Sequence, residues 1–125
     1  MSVEDNRALG YRVYEAINKQ DIATLDQLFA PNVVRHAMGE VGREKAHQAL
    51  QNAFAGFPET RFVVEDLIAE DDKVALRVTI HGRQTPPGQP LPLLIEIFRI
   101  ENGQVAEIWG AALHMTPLNN QQRKG

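Results

Sequence analysis

The chain contains no cysteine. That excludes disulfides, thiolate metal ligands and a cysteine nucleophile, and it fits a reducing, cytoplasmic setting. Ser2 is the single serine, so no serine–histidine–aspartate arrangement can form around an interior position. No run of about 18 apolar residues occurs, so no segment reads as membrane-spanning. The opening Met1-Ser2-Val3-Glu4-Asp5 is acidic, without the apolar core of a secretory signal. Positive charge is not concentrated either. The formal net charge is -3, and the one basic cluster is Arg123-Lys124. Phosphate binding needs a basic face, so nucleic acid is not an expected partner. Gly82 and Gly88 are isolated turn residues and form no phosphate loop. His36, His47, His81 and His114 include no pair two or four residues apart, and no metal site is expected.

What remains is ordinary for a globular domain: 125 residues, 43% hydrophobic and 23% charged. That length suits one domain, with residues 116–125 read as a flexible polar tail. Leu9, Val13, Ala16 and Ile17 mark a first helix, with Ser2 or Asp5 as its cap. Asp21 caps a second, carrying Ile22, Leu25, Leu28 and Phe29, and Pro31-Asn32 stops it. An extended stretch then ends near His36. Ala46, Ala49, Leu50, Ala53, Phe54 and Phe57 mark a third helix after Gly42, closed by Gly56 and Pro58. From Arg61 the period changes to two. Val74, Leu76, Val78 and Ile80 alternate with Ala75, Arg77, Thr79 and His81. Asp71-Asp72 and Asn102-Gly103 are tight turns, the latter a strong hairpin signal because both residues tolerate positive φ. Helices followed by an antiparallel meander of four long strands define an α+β domain.

These segments, taken in order, resemble the SnoaL-like polyketide cyclases within the nuclear-transport-factor-2-like superfamily. The matching pieces are Ala16–Asp21, Leu25–His36, Phe57–Phe62, Asp66–Arg77 and Ile97–Trp109. The resemblance implies a cone-shaped α+β barrel, with three N-terminal helices packed on a curved antiparallel sheet around one pocket. It also implies a small apolar ligand, no cofactor, and frequent homodimers through the outer sheet face. Relatives include cyclases, ketosteroid isomerases, epoxide hydrolases, dehydratases and non-catalytic binders, so fold alone does not assign an activity. Family cyclases carry an acid/base aspartate four residues after the tryptophan. Here Trp109 is followed at that distance by Leu113, which cannot move a proton. His114 is one residue further on and needs a strand bulge to turn inward.

The candidate catalytic residues are His36, Glu96, His81 and His114. His36 ends the extended stretch and can exchange a proton near neutral pH, or simply satisfy a backbone carbonyl. Glu96 interrupts the apolar run Leu91–Phe98. Burial there would raise its pKa and make it a general base, whereas a cross-strand pair with Arg77 or Arg99 would make it structural. His81 and Arg77 form a polar stripe that lines the pocket if its strand face is concave and meets solvent or a second subunit if it is convex. The candidate ligand-binding residues are Tyr14, Phe54, Phe57, Arg77, Phe98 and Trp109. Tyr14 lies near the apolar stripe of the first helix; Trp109 can wall a pocket or a core. Two readings stay open. One is a cofactor-independent acid/base isomerase, cyclase or dehydratase; the other is a non-catalytic ligand-binding or dimeric scaffold module.

Overall fold

The computed structural model describes residues 2–115. The tail expected at residues 116–125 therefore lies outside the described residues. Helix α1 spans Val3–Asn18, α2 spans Ile22–Leu28 and α3 spans Arg43–Gly56. The strands are β1 (Phe29–Arg35), β2 (Glu40–Val41), β3 (Arg61–Glu70), β4 (Lys73–His81), β5 (Leu93–Glu101) and β6 (Gln104–Leu113). They form one curved, open, six-stranded sheet in the order β2-β1-β6-β5-β4-β3.

Local chemistry sets the boundaries. Ser2 accepts from the Asp5 amide while Asp5 accepts from the Ser2 amide, a capping box. Asp21 accepts from the Thr24 amide at the start of α2. Asp71 and Asn102 take φ of 51°, the left-handed conformation that the two tight turns require. The meander β3–β6 is antiparallel throughout. The short stretch after α2 adds what the strand pattern did not announce: β1 lies parallel to β6, making the sheet mixed. Pro31 falls where that ladder shifts register between Phe29 and Val34, a place where its missing N–H costs no regular pairing.

Alternation in β4 divides the faces. Val74, Leu76, Val78 and Ile80 are buried beneath the helices with Phe98, Ile100, Val105 and Ile108. Two asparagines fasten α1 to the sheet. Asn18 both accepts from the Phe62 amide at 2.8 Å and donates to its carbonyl at 2.7 Å, while Asn6 donates to the Asp71 carbonyl. Arg43 donates twice to the Phe29 carbonyl, tying α3 to β1. Gly10 lets α1 approach closely, since a Cβ there would lie 2.8 Å from Leu67 Cδ1. Among the described residues no helix is long and apolar enough to cross a membrane.

Candidate active site in the concave face

On β5 the period of two sends Leu94, Glu96 and Phe98 inward and Ile95, Ile97 and Arg99 outward. Glu96 stands between Leu76 of β4 and Gly110 of β6. A Cβ at Gly110 would lie 3.2 Å from Glu96 Cγ and 3.5 Å from Oε2. Glycine at this position thus leaves room for the carboxylate to lie over the neighbouring strand. The Tyr14 hydroxyl, brought across from α1, donates to Glu96 Oε1. The tyrosine ring stacks on Phe98 with 6.4 Å between centroids and tilts against Phe62 at 5.9 Å. Held between two aromatic rings, the hydroxyl has little choice of direction. Among the described residues, no donor reaches Glu96 Oε2.

These groups open onto a cavity of about 140 Å³ between the sheet and the helices. Ile17, Leu25, Leu50, Phe62, Leu94 and Ile108 supply apolar wall, and Tyr14, Arg35 and Glu96 are its polar side chains. An apolar cavity of roughly 150 Å³ admits a benzene-sized molecule, so one ring fits.

Burial raises the Glu96 pKa above the ordinary carboxylate value, because the charged form loses hydration; the Tyr14 hydrogen bond and the Arg35 charge oppose that rise without cancelling it. Tyr14 is pushed well above the ordinary phenol value, first by burial and then by the Glu96 charge. It therefore remains a neutral donor. A carboxylate that lines an apolar hollow, with one oxygen held by Tyr14 and, among the described residues, no donor on the other, can accept a proton from a bound molecule.

The structure brings Glu96, Tyr14 and Phe98 together at this cavity. Phe54 is buried behind the wall, edge-on to Phe62. The other candidates stand elsewhere, for reasons of strand parity. Arg77 is on the outer face, with Nε 2.6 Å from Asp66 Oδ2. His81 shares that face; its Nε2 lies 3.0 Å from Thr79 Oγ1. His36 follows Arg35 at the end of β1 and opens the 3-10 turn His36–Met38; with Arg35 turned inward, alternation turns His36 outward, and its ring stacks on Trp109 at 4.8 Å. Both rings are on the outer face, where His36 Nε2 also meets Glu107 Oε2 at 2.7 Å. Trp109 pairs with Ile97 there. His114 follows the end of β6, exposed and with φ of 57°; β6 is bulged opposite Arg99 and Ile100, far from it in sequence. Phe57 is exposed at the opposite end of α3, beneath the Arg83 guanidinium at 4.6 Å. Leu113, four residues after Trp109, is paired with Leu93 and 47% exposed.

Arg35 is the cavity residue that pattern reading passed over. The available signal was parity: Val33 is buried and Arg35 lies two residues on, along the same strand face. Among the described residues, no group of three or more His, Cys, Asp or Glu side chains is placed to hold a metal ion.

The SnoaL-like domain profile matches residues 11–108, and the chain belongs to that family. No curated protein matches it. Among solved structures it is similar to IdmH of Streptomyces antibioticus, a candidate polyketide cyclase. Identity is 26%, with 86% of this chain and 91% of that one covered and a TM-score of 0.73. TsrD of Streptomyces laurentii is 28% identical, with 90% of each chain covered and a TM-score of 0.75. A SnoaL-like polyketide cyclase from Agrobacterium tumefaciens, 16% identical over 100% of both chains at a TM-score of 0.74, shares the fold.

Proposed function

We propose that this protein is a cofactor-independent acid/base enzyme, an isomerase, cyclase or dehydratase, acting on a small, largely apolar carbonyl compound bound in the concave cavity. One observation carries the reading: Glu96 lines an apolar hollow, Tyr14 donates to its Oε1 and, among the described residues, no donor reaches Oε2. Oε2 takes a proton from the carbon beside the carbonyl. The C–H electron pair becomes a new carbon–carbon π bond while the carbonyl π pair moves onto oxygen, giving an enolate; in a β,γ-unsaturated ketone, return of the proton from Glu96 to the γ carbon completes an isomerisation. Tyr14 holds the carboxylate in place, and the positive Arg35 stabilises the enolate. General acid/base catalysis of this kind supplies roughly 10²–10⁴-fold in rate.

The test uses cyclohexanone in heavy water, with deuterium uptake followed by proton NMR. Wild type accelerates exchange, and Glu96→Gln returns it to the uncatalysed rate. If exchange is equally fast in both proteins, Glu96 is not the base. Leu113 in the aspartate's place favours a second reading, a binding module; ketone-induced chemical shifts at the cavity residues with no exchange above background would select it.

Assembly as a homodimer in the cytoplasm is part of the same proposal. Ile95, Ile97 and Trp109 are 41%, 42% and 37% exposed on the outer sheet face, and a second copy would cover them. Sedimentation of wild type as a dimer and of Ile97→Glu as a folded monomer is the expected result; a wild-type monomer at high concentration would remove the dimer from the proposal.

A further inference from the structure

We infer that the cavity selects a ligand carrying a planar two-oxygen anion, a carboxylate or a strongly acidic enol, on a body about one ring in size, and that Arg35 is the residue that recognises it. The inference rests on the cavity being the ligand site, as proposed above.

Arg35 reaches the cavity because its register partner on β6 is Ile108, itself a lining residue. On the other side it is paired with Glu40 of β2. Its Nη1 donates to Glu40 Oε1 at 2.7 Å. That bond anchors the guanidinium but engages only one of its nitrogens. Among the described residues no acceptor takes Nε or Nη2, and the ion pair is made with Glu40 rather than with Glu96. The side chain is 30% exposed, so these donors are open to hydration.

A neutral apolar ligand would displace that water and leave the donors unmatched, which is costly. A carboxylate or enolate accepts from two guanidinium nitrogens at once and restores what the water supplied. The rest of the wall fits the remainder of such a molecule. Leu50, Phe62, Leu94 and Ile108 are apolar, and a cavity of about 140 Å³ holds one ring. Tyr14 already spends its proton on Glu96, so it does not compete with Arg35 for the anion. The polar groups thus divide the work: Arg35 holds the anion and Glu96 faces the carbon skeleton.

Benzoate and benzyl alcohol serve as probes, being one ring with and without the charge. Each is titrated by NMR into wild type, Arg35→Met and Glu40→Gln. Wild type binds benzoate more tightly than benzyl alcohol by about ten- to a hundred-fold, the range for a charge-assisted hydrogen-bonded pair. Arg35→Met loses that preference and keeps its affinity for benzyl alcohol. Glu40→Gln, which leaves the guanidinium unneutralised, binds benzoate more tightly than wild type. Equal affinity of wild type for the two probes overturns the inference while leaving the cavity a ligand site. Undiminished benzoate binding by Arg35→Met, with shifts outside the cavity, overturns it as well. Failure of both probes to bind overturns the cavity reading itself. If Arg35→Met does not fold, the Glu40→Gln comparison decides alone, and an unchanged benzoate affinity there counts against the inference.

Discussion

Glu96 and Glu107 sit on neighbouring strands and are pushed in opposite directions. Glu96, on the concave face of β5, has its pKa raised by burial. Glu107, on the convex face of β6, has its pKa lowered by hydrogen bonds from His36 and Arg99. Arg99 Nε donates to Glu107 Oε1 at 2.5 Å and Nη1 to Glu101 at 2.9 Å. Glu107 is therefore fully engaged as an anion, and what it does is hold side chains together. Among the described residues, Glu96 has one donor, Tyr14, and none on Oε2. The same side chain is a spacer on one face and, in the function proposed, a reagent on the other because of the company that strand parity gives it.

The largest expected effect separates the two directly. Glu96→Gln removes the proton acceptor and lowers deuterium exchange into cyclohexanone by roughly 10²–10⁴-fold. Glu107→Gln leaves exchange within about two-fold of wild type, the scatter of substitutions away from the reacting atoms. Comparable losses in both variants would show that the faces are not functionally distinct.

Next in size is the packing contrast along β5. Phe98 is 1% exposed beneath Tyr14, and its neighbour Ile97 is 42% exposed on the other face. Phe98→Ala costs about 3–5 kcal/mol in urea unfolding. Ile97→Ala costs under about 1 kcal/mol in the monomer, as for an exposed position. A large loss at Ile97 in monomeric protein would mean that the convex face is a packed layer in its own right.

Much of this division was legible in the pattern of residues. The alternation of Val74, Leu76, Val78 and Ile80 marked the inner face of β4, and the Asp71-Asp72 and Asn102-Gly103 turns bounded the strands, because both signals are local. Glu96 stood out as a charge within an apolar run. Its bond to Tyr14 spans 82 positions, and nothing in local spacing announces a contact of that range. The strand β1 was half-seen: Pro31 and Asn32 read as a helix stop, and the parallel pairing with β6 depends on the sheet being assembled. Arg35 was lost for that reason, although it shares parity with Val33. The side taken by His36 is not legible in the pattern for the same reason. Once β1 is paired with β6, Arg35 stands beside Ile108 on the inner face, and His36, the next residue, stacks on Trp109 on the outer one. His81 and Arg77 belong to a face that sequence alone could not orient, since either side of a sheet can be covered.

The smallest effect, and the most diagnostic of the contrast, lies in the pH dependence of stability. A carboxyl whose folded pKa is raised binds more protons in the folded state, so its contribution falls as pH rises from the ordinary glutamate value toward the raised one. Glu96 therefore makes the protein less stable across a window above 4.5, its ordinary value. Glu107 acts with the opposite sign. Its folded pKa is lowered, so the stability it contributes is present above the ordinary value of 4.5 and is lost as pH falls toward the lowered one. Glutamine at position 96 still accepts from Tyr14 but carries no charge. Melting temperature against pH is thus expected to show Glu96→Gln gaining on wild type only as pH rises above that common value. Glu107→Gln loses ground to wild type over the window below it, and the deficit persists above. Curves that diverge from wild type in the same window and with the same sign would mean that burial is not what governs Glu96, and the separate chemistry assigned to the concave face would lose its physical basis.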